Sequence, residues 1–224
     1  IDSLGPGGAE KSMVDLAIFL KDKGHQVLLY CIDKREIGYE NLIKKERINI
    51  LYFKSNNIIK RSKELSKVIK AEKPDLIHSV LLRSNLTVRF VRLFINKTIT
   101  IESLVNLSYS KKRTVQNNLP IYKSFLVKQF DKWSARIFPS FYHTISAEVL
   151  YNYKRLYNIK DNFKIIYRGR RPNDFTKKSY ERSSNLISIG RQEFAKGHIN
   201  ILKALNLLKN DKNNKLNLKL TILG

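Results

Sequence analysis

A chain of 224 residues with 42% hydrophobic residues is long enough for one large or two modest globular domains. None of its apolar runs approaches the roughly 18 residues that a membrane-spanning helix needs, and a single cysteine excludes an internal disulfide. The formal net charge of +24 suits nucleic acid, an anionic membrane or a phosphorylated substrate as a partner. The lysines are scattered over almost every predicted helix, and zinc-finger, RNP and basic-zipper patterns are absent, which disfavours nucleic acid.

Helical and strand-like segments alternate through the first half of the chain. A glycine-rich turn at residues 4–10 leads into an amphipathic helix with apolar side chains at Met13, Leu16, Ala17 and Leu20. Gly24 is the predicted C-cap of this helix. The next predicted elements are a strand at 25–32, a short helix at 39–46, a strand at 48–53, a helix at 58–72, a strand at 75–80, a helix at 85–94 and a strand at 98–105.

Residues 109–140 interrupt this alternation with a long segment in which aromatic residues are mixed with lysines and arginines. Two interpretations are open: a large helix that covers the sheet, or an amphipathic helix that lies on a membrane surface. A strand at 141–146, a helix at 147–157 and a strand at 163–167 follow. Residues 169–184 are polar and charged without apolar periodicity, which predicts a linker. A strand from Leu186, a helix at 199–208 and a strand near Thr221 complete the pattern.

Strands that alternate with helices predict an α/β fold with parallel sheets and βαβ units. The predicted domains are 1–168 and 185–224, the second of them incomplete, with 169–184 as a linker that acts as a hinge. Ligands of parallel sheets bind at the carboxyl ends of the strands, where the two glycine-rich turns of this chain lie. We therefore expect the turns to face each other across a cleft that holds a phosphorylated ligand.

The second of these turns carries the strongest chemical signal. An apolar run ends at Gly190 and Arg191, and Lys196 and Gly197 stand just before a predicted helix. Such a turn offers one anion the free backbone N–H groups of a helix N-terminus together with two cationic side chains. Neither glycine-rich turn has the spacing of a dinucleotide fingerprint, and a P-loop pattern is absent.

Taken in order, these motifs resemble glycosyltransferase family 4, which comprises retaining enzymes of the GT-B fold with two Rossmann-like domains. The matching stretches are Gly7 to Ser12, Gly24 to Val27, Lys73 to His78, Thr144 to Glu148, Ile165 to Gly169 and Ser188 to His198. The resemblance implies a Rossmann-like, acceptor-side N-terminal domain, followed by the first β-α-β part of a nucleotide-sugar-binding domain. The family's paired-glutamate motif would lie beyond Gly224. We therefore expect a fragment truncated at both ends that is inactive by itself.

The resemblance also implies which residues bind the donor. In this family Arg191 and Lys196 would bind the diphosphate and stabilise the negative charge that develops as it leaves. Gly190 belongs to the same turn. Gly7 and Gly8 would let the backbone approach the sugar or the phosphate closely.

Three further residues are candidates for contacts with the sugar or the acceptor. His78 lies in a predicted strand that runs towards the cleft, although a histidine satisfied in the core is an equal alternative. Many family members place a histidine beside the donor sugar at the end of the next strand, where this sequence has Glu102 to Asn106 and no histidine. Glu102 or Asn106 would then orient the sugar or the acceptor, and no catalytic residue is assigned.

The leading hypothesis is a hexosyltransferase that moves a sugar from a nucleotide diphosphate sugar to a glycan or lipid-linked acceptor, in cell-surface polysaccharide or glycolipid synthesis. We expect no cofactor and no metal, because the nucleotide sugar is a substrate. The expected location is the cytoplasm, with a peripheral position at the inner face of the cell membrane as a further hypothesis. The alternatives are a nicotinamide-dependent Rossmann oxidoreductase and a basic nucleic-acid-binding module.

Overall fold

The computed structural model describes residues 1–95, 98–109, 120–169, 185–190, 192, 194–210 and 218–224. The chain divides into two compact units. The first consists of Ile1–Tyr109 and Ile121–Gly169, and the second includes the described residues from 185 onwards. Apart from Gly169, the predicted linker lies outside the described residues. The linker, the domain boundaries and the cleft therefore stay predictions.

Helices and parallel strands alternate along both units, as the sequence predicts. The elements of the first unit are α1 (Gly8–Asp22), β1 (Leu28–Cys31), α2 (Glu40–Lys45), β2 (Asn49–Tyr52), α3 (Ile58–Glu72), β3 (Leu76–Val80), α4 (Leu82–Val91), β4 (Ile99–Leu104), α5 (Ile121–Ile137), β5 (Phe141–Thr144), α6 (Ala147–Tyr157) and β6 (Phe163–Ile165). The elements of the second unit are β7 (Asn185–Ile189), a 3₁₀ turn (Phe194–Lys196), α7 (His198–Asn210) and β8 (Lys219–Leu223).

All strand pairs among the described residues are parallel. In the first unit β1 pairs with β2, and β3, β4, β5 and β6 form a second sheet in that order. The start of the chain lies beside β1, because Ile32 N and Asp33 N donate to the carbonyls of Ile1 and Asp2 at 3.1 and 2.8 Å. In the second unit β7 pairs with β8 on either side of α7 in the chain, which gives a β-α-β unit. The predicted α/β class is therefore correct.

Local capping explains why several helices begin and end where the sequence predicts. Helix α3 begins after Asn57, whose side chain accepts hydrogen bonds from the N–H groups of two residues in the first turn. Ser146 caps α6 in the same way through Val149 N. Helix α1 ends in a Schellman motif, since Gly24 N donates to Lys21 O and His25 N donates to Leu20 O. The backbone of His25 is thus used by the helix, and β1 begins at Leu28 instead of the predicted residue 25.

Helix α4 differs from its prediction because a residue from the start of the chain caps it. It begins at Leu82, three residues before the predicted start. Asp2 Oδ1 accepts hydrogen bonds from Ser84 N at 2.8 Å and from Ser84 Oγ at 2.6 Å. A carboxylate at this position satisfies an otherwise unpaired N–H group and interacts favourably with the helix dipole. Asp2 and Ser84 are 82 residues apart, so local sequence does not predict this cap.

The core of the first unit consists of apolar clusters on the helix-covered faces of the sheets. One cluster joins α1 and α2 to β1 and includes Val14, Leu29, Cys31 and Ile43. A second joins α3 to α4, and a third packs α5 and α6 against β4 and β5, with Tyr142, Tyr153 and Tyr157 among its members. The predicted strands thus supply the interior of the unit.

A buried ionic cluster, made by Arg89, Glu102 and Asp131, ties α4, β4 and α5 together. Arg89 Nε donates to both Glu102 carboxylate oxygens at 2.9 and 3.0 Å, and Arg89 Nη1 donates to Asp131 Oδ1 at 2.7 Å. The hydroxyls of Tyr109 and Tyr157 donate to the other oxygen of Asp131. Burial alone would lower the pKa of Arg89, but the charge of Glu102 and its other partners raise it well above its ordinary value. The guanidinium is therefore a permanent charge in the core.

Candidate functional site

The opening glycine turn is held down by a second segment of the chain. Tyr39 N donates to Leu4 O at 2.7 Å. A Cβ atom on Gly38 would overlap with that same carbonyl oxygen and would lie 2.9 Å from Gly5 Cα. Gly38 therefore permits the close approach of the two backbones. Gly38 was not among the predicted site residues, because nothing in its local sequence marks a tertiary contact.

Gly7 and Gly8 stand at the N-terminus of α1, as predicted. Gly7 is the N-cap and supplies no side-chain hydrogen bond, while a Cβ atom there would overlap with the carboxylate of Glu10. A Cβ atom on Gly8 would meet Arg168 Nη1 at 3.7 Å. The positive end of the helix dipole and a guanidinium thus lie close together, which gives this edge of the first unit a positive potential. The donor contacts proposed for both glycines stay predictions.

His78 belongs to a chain of hydrogen bonds that crosses the sheet from β3 to β6. His78 Nε2 lies 2.7 Å from Ser103 Oγ, which lies 2.7 Å from His143 Nδ1. His143 Nε2 lies 3.1 Å from the carbonyl oxygen of Ile166, the first residue after β6. Burial, followed by the charge of His143, lowers the pKa of His78 to about 4, so the ring is neutral at neutral pH.

Ser103 and His143 were not among the predicted site residues. Both are the last but one residue of their strand, and they are direct partners in the β4–β5 register. A polar residue near the carboxyl end of each predicted strand was the available signal. Only the parallel register, however, shows that these side chains meet.

Glu102 lies on the other face of the sheet from Ser103, because neighbouring residues of a strand point to opposite faces. It is completely buried. Both of its carboxylate oxygens accept hydrogen bonds from Arg89, and Oε1 accepts a further one from Ser140 Oγ. Its position favours a role in the interior of the unit over the predicted sugar or acceptor contact. Asn106 follows β4 and is half-buried, and its predicted contact stays a prediction.

The turn between β7 and α7 brings Lys196 back to the end of β7. Residues Phe194–Lys196 form a 3₁₀ turn, and Gly197 follows in a left-handed conformation with φ +73°. Lys196 Cγ and Cδ lie 3.5 Å from the position that a Cβ atom on Gly190 would occupy. The lysine stem therefore crosses Gly190, and its charged end is exposed. Arg191 lies outside the described residues, so its convergence with Lys196 stays a prediction.

His198 fixes this turn to the strand that precedes it. Its Nδ1 lies 3.0 Å from Ser188 Oγ, and its Nε2 lies 3.1 Å from the carbonyl oxygen of Gly190. His198, the first residue of α7, thus contacts the residues immediately before and after Ile189, which is the last residue of β7. His198 belongs to the family motif at residues 188–198, but the sequence predicts no role for it.

In the described ranges, no group of three or more histidine, cysteine, aspartate or glutamate residues could hold a metal ion. Within those ranges there is also no helix with the length and apolar character needed to cross a membrane.

One known protein family matches most of this chain. Residues 6–173 match the family model described as Glycosyltransferase Family 4. The chain belongs to glycosyltransferase family 4. The match begins within the opening glycine turn and continues past the last described residue of the first unit, so that it includes the His78 chain of hydrogen bonds.

Solved structures support the family 4 assignment at the level of the fold. The chain is similar to Alr3699/HepE of Anabaena, in complex with UDP and glucose, with a TM-score of 0.67 and 18% identity over 99% of this chain. It is also similar to a glycosyltransferase from Rickettsia africae ESF-5, with a TM-score of 0.66 and 18% identity over 99% of this chain. A HepE structure in complex with UDP gives a TM-score of 0.54 and 16% identity, and the match covers 75% of this chain and 43% of that one.

The chain spans 58% of the length of the first of these proteins and 67% of the second. No curated protein sequence matches it. The resemblance to family 4 and the predicted GT-B type of α/β fold are thus confirmed.

Proposed function

We propose that this family 4 protein is a retaining glycosyltransferase that transfers a sugar from a nucleotide diphosphate sugar to a glycan or lipid-linked acceptor. The observation that carries the proposal is the position of Lys196, whose side chain crosses Gly190 at the carboxyl end of β7. A cation held beside the start of a helix at this edge suits the negatively charged diphosphate of such a donor. The HepE structures contain UDP, so a uridine diphosphate sugar is the first donor to test.

In the proposed reaction, the bond between the anomeric carbon of the sugar and the diphosphate breaks. A hydroxyl oxygen of the acceptor forms the new bond on the same face, and its proton leaves with the diphosphate. Negative charge grows on the departing diphosphate as the bond breaks. Lys196 and Arg191 would stabilise that charge more strongly in the transition state than in the bound donor, which accelerates the reaction.

The first unit would contribute the acceptor side of the site. Gly7 and Gly8 would bring the backbone at the start of α1 close to the sugar or phosphate, next to Arg168. His78 and Asn106 would supply polar contacts to sugar hydroxyls. The neutral state of His78 at neutral pH suits an uncharged hydroxyl partner.

The exposed apolar surface of helix α5 supports the proposal that the protein lies at the inner face of the cell membrane as a peripheral protein. Its buried residues are the polar or small Asp131, Ser134 and Ala135, whereas most of its large apolar side chains are exposed. Tyr122 is 62% exposed, Phe125 57% and Trp133 54%, so the packing of the unit does not explain these aromatic residues. Lys132 and Arg136 flank the Trp133 ring at 5.0 and 5.6 Å. Exposed aromatic residues among cations are typical of helices that lie on anionic membranes, where lipid-linked acceptors reside.

Ligand titrations separate the proposed transferase from its alternatives. We expect the complete protein to bind UDP and UDP-glucose and not NADH. We further expect Lys196→Ala to weaken UDP binding. Lys203→Ala is the matched control, because it removes the same charge from an exposed position on α7 and should leave UDP binding unchanged. Binding of NADH without UDP would instead indicate an oxidoreductase. Binding of duplex DNA alone, with a steep salt dependence, would indicate a nucleic-acid module.

A further inference from the structure

The hydrogen bonds that join His78, Ser103, His143 and Ile166 have only one direction when both imidazoles are neutral. A backbone carbonyl oxygen can only accept, so His143 Nε2 must carry its proton and donate it to Ile166 O. His143 Nδ1 is then the unprotonated nitrogen and accepts from the Ser103 hydroxyl. Because that hydroxyl proton is already used, Ser103 Oγ accepts from Nε2–H of His78. His78 is thereby held as the tautomer with a lone pair on Nδ1.

The Nδ1 atom of His78 has no hydrogen-bond partner among the residues that the structure describes, although its ring is only partly exposed. The other members of the chain lie at the carboxyl edge of the sheet: Ser103 and His143 are last but one in their strands, and Ile166 follows β6 directly. This is the edge at which parallel sheets bind ligands. On the opposite face, Arg89 of α4 bonds to Glu102 and to Asp131 of α5, so Ser103 and His143 do not serve to attach those helices.

We infer that Ser103 and His143 are positioning residues that fix the tautomer of His78, so that His78 Nδ1 accepts a hydrogen bond from a hydroxyl group of a sugar substrate. This inference rests on the proposed transferase function. Without the chain of hydrogen bonds, a neutral imidazole could carry its proton on either nitrogen. With it, and while both imidazoles are neutral, the acceptor nitrogen is available and no proton has to move when the hydroxyl binds. The donor sugar and the acceptor sugar share this chemistry, and kinetics distinguish them.

Nitrogen NMR of the imidazole rings tests the tautomer without any need for enzymatic activity. The chain has four histidines, so each signal can be assigned by single substitution. We expect His78 to be the Nε2–H tautomer at neutral pH in the unmodified protein, and a mixture in Ser103→Ala. His143→Asn should preserve the tautomer, because the Asn Oδ1 atom can replace Nδ1 as an acceptor, whereas His143→Phe should not. An Nδ1–H tautomer of His78, or a tautomer that Ser103→Ala leaves unchanged, would overturn the positioning role.

Two substitutions of His78 itself test the contact with substrate. His78→Gln keeps an N–H group that can donate to Ser103 and lacks the Nδ1 acceptor. His78→Asn keeps an acceptor near the Nδ1 position and lacks the bond to Ser103. We expect His78→Gln to fold with an unchanged Tm and to raise KM for one substrate by roughly five- to tenfold, the effect of one lost hydrogen bond. His78→Asn should retain more of the affinity for that substrate.

The substrate whose KM rises identifies the source of the hydroxyl, either donor or acceptor. Unchanged kinetics for both substrates in His78→Gln would overturn the contact even if the NMR result holds. If the unmodified protein shows no sugar transfer, the proposed function fails, while the NMR experiment still decides the positioning of His78. The two failures are therefore distinguishable.

Discussion

Arg89 joins three elements of the first unit, because its side chain on α4 bonds to β4 and to α5. Its guanidinium is completely buried and bonds to two carboxylates that come from different elements. Removing one carboxylate from such a cluster takes charge-assisted hydrogen bonds away from a guanidinium that water does not reach, which costs more than a surface ion pair contributes. The cluster therefore makes a clear prediction about stability.

Glu102→Gln should lower the free energy of unfolding by about 3 kcal/mol, since Arg89 then keeps only Asp131 as a charged partner. Urea denaturation measures this loss. Lys11→Ala serves as the control, because it breaks a partly exposed pair with Asp15 and a contact with the Tyr39 ring and should cost at most about 1 kcal/mol. Equal stabilities of Glu102→Gln and the unmodified protein would contradict the importance of the cluster. Loss of sugar transfer in Glu102→Gln at full stability would instead restore Glu102 as a substrate contact.

His78 should make the stability of the protein depend on pH. Burial and the charge of His143 lower its pKa from 6.5 to about 4. Its contribution to stability is thus fully present above pH 6.5 and is lost as the pH falls towards 4, because the unfolded chain then takes up a proton that the folded chain does not.

Between about pH 7 and pH 4, the unmodified protein should lose roughly 2 kcal/mol more than His78→Gln. Urea denaturation of both proteins at several pH values isolates this difference from the titration of the carboxylates. Parallel profiles for the two proteins would show that the His78 ring is not buried as a neutral group.

At the scale of elements, helix α5 has an exposed side on which Tyr122, Phe125 and Trp133 lie among cations. Replacing Lys123, Lys128 and Lys132 with Gln should weaken binding to anionic vesicles by roughly two orders of magnitude, at about 1 kcal/mol for each lysine. Co-sedimentation with vesicles of anionic lipid, and of neutral lipid for reference, measures the effect.

The control for this experiment carries the same change of net charge on another helix. Three lysines are exposed on α3, namely Lys60, Lys63 and Lys67. The sequence of α3 contains no aromatic residue. Replacement of these three lysines with Gln should change vesicle binding far less. An equal loss in both triple variants would mean that the net charge of +24, and not α5, attracts the protein to the membrane.

The sequence predicted elements well where local signals determine them. Helix α3 has the predicted bounds because Asn57 caps its start, and a left-handed Lys73 followed by Pro74 ends it. Helix α4 was placed three residues late because its cap, Asp2, lies far away in the sequence. The two interpretations of residues 109–140 could not be separated either, because aromatic periodicity does not say which side of a helix packs against the unit.

At the scale of the whole molecule, family and fold class followed from short motifs whose order along the chain is distinctive. The arrangement of the site did not. Glu102 was a candidate because it lies near the end of a predicted strand, where many family members place a histidine. Alternation along β4, however, directs it into the core and Ser103 to the other face. Such assignments need the register between strands, which sequence alone does not specify. The linker and the relation between the two units stay predictions.

Steady-state kinetics of Lys196→Ala in the complete protein provide the strongest test of the proposed transferase. Loss of a charge-assisted contact to the departing diphosphate should raise the activation free energy by about 2–4 kcal/mol, a fall in kcat of roughly two to three orders of magnitude. Affinity for the acceptor should change little, and Lys203→Ala should retain full turnover. If kcat of Lys196→Ala equals that of the unmodified protein, Lys196 does not bind the diphosphate, and the proposed function loses the observation that carries it.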